Sequence, residues 1–149
     1  MERGMRISFD LDDTLVLGAD RPSERPLGWW ARRLFPETMR PGARSLLRSL
    51  RAHDVWVYTT SYRSRAYVHA WFRVLGVPLG GVVNQYVHER RVGRGGPSKD
   101  PAAFGIDLHV DDSEGVRLEG ERYGFAVIVV RPDDDGWAER VRAAIAGWR

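Results

Sequence analysis

Cysteine is absent from the 149 residues. Its absence excludes disulfides, thiolate nucleophiles and cysteine zinc sites together, and any bound metal must be held by oxygen or histidine. Lysine is almost absent as well: of 23 basic residues only Lys99 is a lysine. Arginine solvates a surface as well as lysine does, but it cannot replace a compact point charge held between an anionic group and a carboxylate. Lys99 is therefore a candidate functional group, against the plainer reading of chance survival in an arginine-biased chain. Long apolar runs are also missing. Nothing approaches the roughly 20 apolar residues that cross a bilayer, and the opening Met1–Ile7 lacks the apolar core of a signal peptide. The expectation is a soluble, cytoplasmic protein with no membrane partner. The length suits one domain over residues 1–149 with a real core, and no repeat, linker or low-complexity tract divides it.

The formal charge of +3 is modest. Clusters at Arg32–Arg33, Arg63/Arg65 and Arg90–Arg91/Arg94 read either as a positive rim that favours anionic substrates or as an ordinary solvated surface.

The most informative stretch present is Phe9–Leu15, where Asp10 and Asp12 stand two residues apart as an apolar run meets a polar turn. Met5–Phe9 alternates like a strand, so Asp10 falls at a strand's carboxyl end and Asp12 and Asp13 in the next loop. Ligands bind at that end of a parallel sheet.

Further along, residues 17–27 read as loop and Leu27–Phe35 as a short helix carrying Trp29 and Trp30. Pro41–Gly42 opens a helix with Ala43, Leu46, Leu47 and Leu50 on one face, ending near His53–Asp54. Val55–Tyr58 is a second strand ending in Thr59, Thr60 and Ser61. Arg63–Leu75 is a helix with Tyr67, Ala70, Trp71, Val74 and Leu75 on its packed side and Gly76 as its stop. Gly81–Tyr86 reads as a third strand and Arg91–Pro97 as a glycine-rich loop. Asp107–Val110 is a fourth strand ending in Asp111–Asp112, Phe125–Val130 a fifth, and Trp137–Trp148 a closing amphipathic helix. Strands alternating with helices predict an α/β fold: a doubly wound parallel sheet of about five strands.

That topology gathers Asp10, Asp12, Thr59, Thr60, Ser61, Asp111 and Asp112 at one sheet edge. Crowded carboxylates raise one another's pKa and call for a hard divalent cation or protonation, and an all-oxygen ligand set suits Mg²⁺. Lys99 supplies a further positive charge. The chemistry these parts allow is attack on phosphorus by Asp10, acid and base work by Asp12, and charge compensation by Mg²⁺, Lys99, Thr59 and loop amides.

At these residues the sequence resembles the haloacid dehalogenase (HAD) superfamily of phosphohydrolases. Its first motif, Asp-x-Asp-x-Thr, matches Asp10, Asp12 and Thr14. Its second, a strand ending in Thr or Ser, matches Val55–Thr59, with Thr60 or Ser61 as weaker candidates. Its lysine matches Lys99, and its acidic pair matches Asp111–Asp112. The resemblance implies a Rossmann-like, HAD-like core, Mg²⁺ dependence and metal ligation by Asp10, the Asp12 backbone carbonyl and one or both of Asp111 and Asp112. It also implies that Asp10 and Asp12 are the catalytic pair, with Thr59, Thr60 and Lys99 binding the substrate phosphate. Asp12 argues against dehalogenase and transport-ATPase subtypes, and the absence of a second lysine against phosphonate hydrolases. Residues 15–54 and 87–98 leave no room for a full cap domain, and capless relatives act on open substrates or borrow closure from a partner.

The expected partner is a phosphorylated small molecule or macromolecular end. The rival readings are a catalytically idle domain that binds phosphate or a protein, and a phosphatase for nucleic-acid ends that uses Trp29, Trp30 and the Arg90–Arg94 loop; in the bland reading both tryptophans pack in the core or at its rim. His53, His69, His88 and His109 lack helical metal spacing. His109, two residues before Asp111, reads either as facing the site or as a packed histidine. Asp133–Asp135 reads as an acidic turn before the last helix. Ser61, Arg63 and Glu114 are candidates for supporting the site.

Overall fold

The computed structural model describes residues 4–148; Met1–Arg3, part of the opening read above for a signal peptide, lie outside that range. Five parallel strands, β1 (Arg6–Phe9), β2 (Asp54–Tyr58), β3 (Gly81–Val83), β4 (Leu108–Asp111) and β5 (Val127–Val129), form one sheet in the order β3-β2-β1-β4-β5. The chain winds outward from β1 through β2 to β3, then crosses back to β4. The carboxyl ends of β1 and β4 are thus neighbours where the winding direction changes, the crevice in which open α/β sheets bind ligands.

Register follows from burial. Ile7 pairs with Val55 and Leu108, and Phe9 with Val57 and Val110. Because side chains alternate along a strand, these six apolar residues share one face, and all are buried. They join a core with residues of α2 (Ala43–Ser49), α3 (Arg65–Val74) and α6 (Trp137–Ala146). On the other face lie Ser8, Trp56, Tyr58 and His109, of which Ser8, Tyr58 and His109 are buried. A smaller cluster of Tyr58, Val83 and Ile106, with Val87 and Phe104 against it, covers part of this face.

The five predicted strands form one parallel sheet, as expected, and several details change. Only Gly81–Val83 of the expected third strand is extended. Asn84 caps a helix, α4 (Gln85–Val92), by accepting the Val87 amide on its side chain, so β-forming Tyr86 and Val87 sit in a helix because the cap overrides their propensity. The packed face of α3 is Val68, Trp71 and Phe72, followed by Leu75, with Tyr67 packed at its edge, while Ala70 and Val74 are exposed. In the segment before α2 only α1 (Ala31–Leu34) is helical, and Trp29 and Trp30 are exposed at 68% and 57%, which overturns the core-packing reading of the pair. Helix α5 (Glu114–Tyr123) joins β4 to β5 and is capped by Ser113. Among the described residues no helix is long and apolar enough to cross a membrane.

Candidate active site

Asp10 follows β1 directly, and its amide donates to the Val110 carbonyl of β4. The turn after it closes through Thr14 and Leu15 amides onto the Leu11 carbonyl, with Asp13 in the left-handed region at φ 63°. An aspartate tolerates that conformation better than bulkier residues. The turn brings the Thr14 hydroxyl back over the site, 3.2 Å from both Asp10 Oδ2 and Asp112 Oδ1.

Lys99 reaches the same point from the stretch before a short 3-10 turn, Pro101–Phe104. Its ammonium lies 2.8 Å from Asp10 Oδ1 and 2.6 Å from Asp111 Oδ2, and it is 2% exposed. Burial works against that charge, yet Asp10 and Asp111 hold Lys99 above its ordinary value. Burial pushes Asp10 up to about 7 despite Lys99, and the Asp111 charge adds to the rise. Asp112 is also raised, chiefly by burial. Asp111 moves the other way: burial opposes ionisation, but the His109 hydrogen bond and Lys99 hold it well below the carboxylate range.

Asp10, Asp111 and Asp112 place one oxygen each within 4.8 Å of one another. Three carboxylates against one ammonium leave the cluster short of positive charge, so its all-oxygen donor set fits a hard divalent cation. The three differ in availability. Both Asp111 oxygens are occupied, Oδ2 by Lys99 and His109 and Oδ1 by the Ser113 amide at 3.0 Å. Asp112 accepts the shared Thr14 hydroxyl and lies against Asp10, with no cationic donor on it among the described residues.

Thr59, at the end of β2, is buried, and its hydroxyl lies 3.0 Å from Ser61 Oγ; Thr60 is exposed. Asp12 stands apart from the acidic cluster. Its half-exposed carboxylate is held by both terminal nitrogens of Arg63, at 3.1 and 2.9 Å. Arg63 also donates to Glu37 at 3.1 and 2.8 Å and to Ser61 Oγ at 3.0 Å. Of the three supporting candidates, Ser61 and Arg63 reach the site, whereas Glu114 pairs with Arg117 on the surface of α5. Glu37 was not singled out by sequence reasoning: it is one acid in an irregular segment, and only folding brings it to Arg63.

His109 is both packed and directed at the site. It is fully buried, with Nε2 2.8 Å from Asp111 Oδ2 and Nδ1 2.7 Å from Ser8 Oγ. Burial pushes it down to about 4. His88 hydrogen-bonds Tyr58, His53 accepts the Met5 amide, and Asp134 accepts the Gly136 amide in the turn before α6. None of these belongs to the carboxylate cluster.

No protein-family model matches the chain, and no curated protein matches its sequence. Solved structures do match its shape. A HAD-superfamily hydrolase of subfamily IA, variant 1, from Geobacter sulfurreducens PCA superposes with a TM-score of 0.55 at 18% identity, over 85% of this chain and 89% of that one. A predicted HAD-like family hydrolase from Porphyromonas gingivalis gives 0.53 at 15% identity, over 95% and 98%. With its all-parallel five-stranded sheet, the chain has the fold of the HAD-superfamily hydrolases.

Proposed function

We propose that this protein is a Mg²⁺-dependent phosphohydrolase that cleaves phosphomonoesters through an aspartyl phosphate on Asp10. The observation that carries this reading is the buried Asp10 carboxylate, bonded to the chain's one lysine, beside two further carboxylates at the switch point of a parallel sheet.

An Asp10 oxygen attacks phosphorus as the bond to the leaving oxygen breaks, and Asp12 gives its proton to that oxygen. In the second half Asp12 takes a proton from water, the water oxygen attacks phosphorus, and phosphate departs from Asp10. Lys99, the Thr59 hydroxyl and the amides near Thr60 offset charge on the phosphoryl oxygens. Asp10, Asp112 and the Asp12 backbone carbonyl would hold Mg²⁺. When bound, the ion would neutralise charge on a phosphoryl oxygen. Asp111, which accepts three hydrogen bonds, serves chiefly to hold Lys99, and its Oδ1, with one donor, could add a ligand.

The segment before α2 holds only one short helix, which supports an open site acting on a small phosphomonoester or a macromolecular end. The exposed Trp29 and Trp30 favour a narrower reading, a polynucleotide end that stacks on them. Steep loss of oligonucleotide binding between low and moderate salt would support it; salt-insensitive turnover of small esters without such binding would count against it.

The test is phosphate release from an activated aryl phosphate and a panel of natural phosphomonoesters, with and without Mg²⁺. Turnover should require Mg²⁺ and fall to background in Asp10→Asn. Metal-free activity, or activity that survives Asp10→Asn, would overturn the mechanism. A folded, Mg²⁺-binding protein with no turnover on any ester would favour a binding role.

A further inference from the structure

Ser8 and His109 are register partners on adjacent strands, both fully buried. Neither matches a motif of the catalytic set. A buried hydroxyl and imidazole cost free energy unless each finds a partner, and here they complete a chain of four contacts. Asp111 Oδ2 can only accept, so His109 Nε2 carries the hydrogen of their 2.8 Å bond. In the neutral ring Nδ1 is then an acceptor, and the Ser8 hydroxyl donates to it at 2.7 Å. Asp111 accepts from His109 and Lys99 on one oxygen and from the Ser113 amide on the other. The Lys99 ammonium therefore has a fixed anchor in Asp111 beside Asp10, to which it also donates. The Tyr58 ring packs edge-on to His109 with centroids 5.7 Å apart and lies 6.0 Å from Lys99 Nζ, which walls the anchor from solvent.

Resting on the phosphohydrolase reading above, we propose that His109 and Ser8 are positioning residues that aim the Lys99 ammonium at Asp10, and so at the phosphoryl oxygens, through Asp111. Ser8 sets the tautomer and tilt of the imidazole, the imidazole sets the carboxylate, and the carboxylate sets the ammonium. A hydrogen bond to the far side of a ligating or charge-compensating group orients it in this way. Lys99 has single bonds along its whole side chain and needs such an anchor more than a planar guanidinium would.

Because Lys99 is the only lysine, its state can be read directly. Protein labelled with ¹⁵N at the lysine Nζ should give one ammonium resonance. That resonance should be retained in His109→Gln, whose amide still donates to Asp111, and shifted or broadened away in His109→Leu. In the Mg²⁺-loaded enzyme, kcat/KM should fall about 10- to 100-fold in His109→Leu, recover most of that loss in His109→Gln, and fall less in Ser8→Ala. An unchanged resonance and unchanged kcat/KM in His109→Leu would overturn the proposal. So would equal losses in the leucine and glutamine variants, which would mark packing rather than aim. If the leucine variant does not fold, Ser8→Ala decides: a shifted ammonium resonance supports the proposal and an unmoved one refutes it. If the resonance responds as expected while the wild-type protein turns over no phosphomonoester, the phosphohydrolase reading fails and the positioning chain stands.

Discussion

The two faces of the central sheet are made from the same strands and obey different rules. On one face Ile7, Phe9, Val55, Val57, Leu108 and Val110 pack into an apolar core. One residue along each strand, Ser8, Tyr58 and His109 are just as buried but polar, and each is hydrogen-bonded. The apolar face is held by area removed from water and tolerates hydrophobic exchange of similar volume. On the polar face stability depends on every donor finding its acceptor, so losing one partner strands another. The carboxylates and Lys99 stand at the carboxyl end of this second face, where a low-dielectric surround strengthens each contact.

The contrast can be broken most severely at Lys99. Lys99→Met leaves Asp10 and Asp111 buried without their cation, and a broken buried pair costs about 3–5 kcal/mol; urea unfolding of the metal-free protein should show that loss together with loss of turnover. On the apolar face, Leu108→Ala should cost about 2–5 kcal/mol, while turnover per folded molecule is kept because no hydrogen bond of the site is touched. Equal catalytic losses in the two variants would erase the distinction between the faces.

The pH dependence of the metal-free protein sharpens the contrast further. Asp10 rises from 3.8 to about 7 on folding, so the folded state holds the extra proton between those values and stability falls as pH rises through them. His109 drops from 6.5 to about 4, so the unfolded state holds the extra proton and stability rises across that window. The two trends oppose each other below about pH 6.5. His109→Gln removes the second, and its stability should fall on the order of 2–4 kcal/mol from pH 4 to 7, where these two groups leave the wild type much flatter. Matching slopes for the two proteins in urea would remove His109 from the balance.

Outside both faces, the open rim should respond least in stability. Arg63→Ala breaks the pair with half-exposed Asp12 and the bonds to Glu37 and Ser61, and at this partly exposed rim it should cost about 1–2 kcal/mol, less than either variant above. Its effect should fall on catalysis instead: kcat/KM for an alkyl phosphate should drop more than for an activated aryl phosphate, whose leaving group needs little help from the Asp12 proton. Equal losses on the two esters would show that Arg63 does not set the acid.

Much of this was legible beforehand because it is local. Alternation at Ile7, Ser8 and Phe9 identifies β1, apolar Val55–Tyr58 identifies β2, and the acids at Asp10 and Asp111 mark strand ends. The helix at Gln85–Val92 was hidden by strand-forming Tyr86 and Val87, although Asn84 standing three residues before Val87 was its cap signal. Trp29 and Trp30 read as packing residues because aromatics usually pack, and only the surrounding fold leaves them exposed. His109 remained ambiguous because its partner Ser8 lies 101 residues away.

By itself the sequence determined the parallel α/β alternation, the absence of thiol chemistry and the set of carboxylates with a single lysine, since all three depend on residue type and short-range spacing. Tertiary structure alone decided how that set is divided: Asp111 bound to Lys99 and His109, Asp112 left with fewer donors, and Asp12 held at the rim by Arg63, which Glu37 also binds. The physical reason is that a carboxylate's role follows from its desolvation and from which donors occupy its oxygens, and both arise only when strands distant in sequence become neighbours.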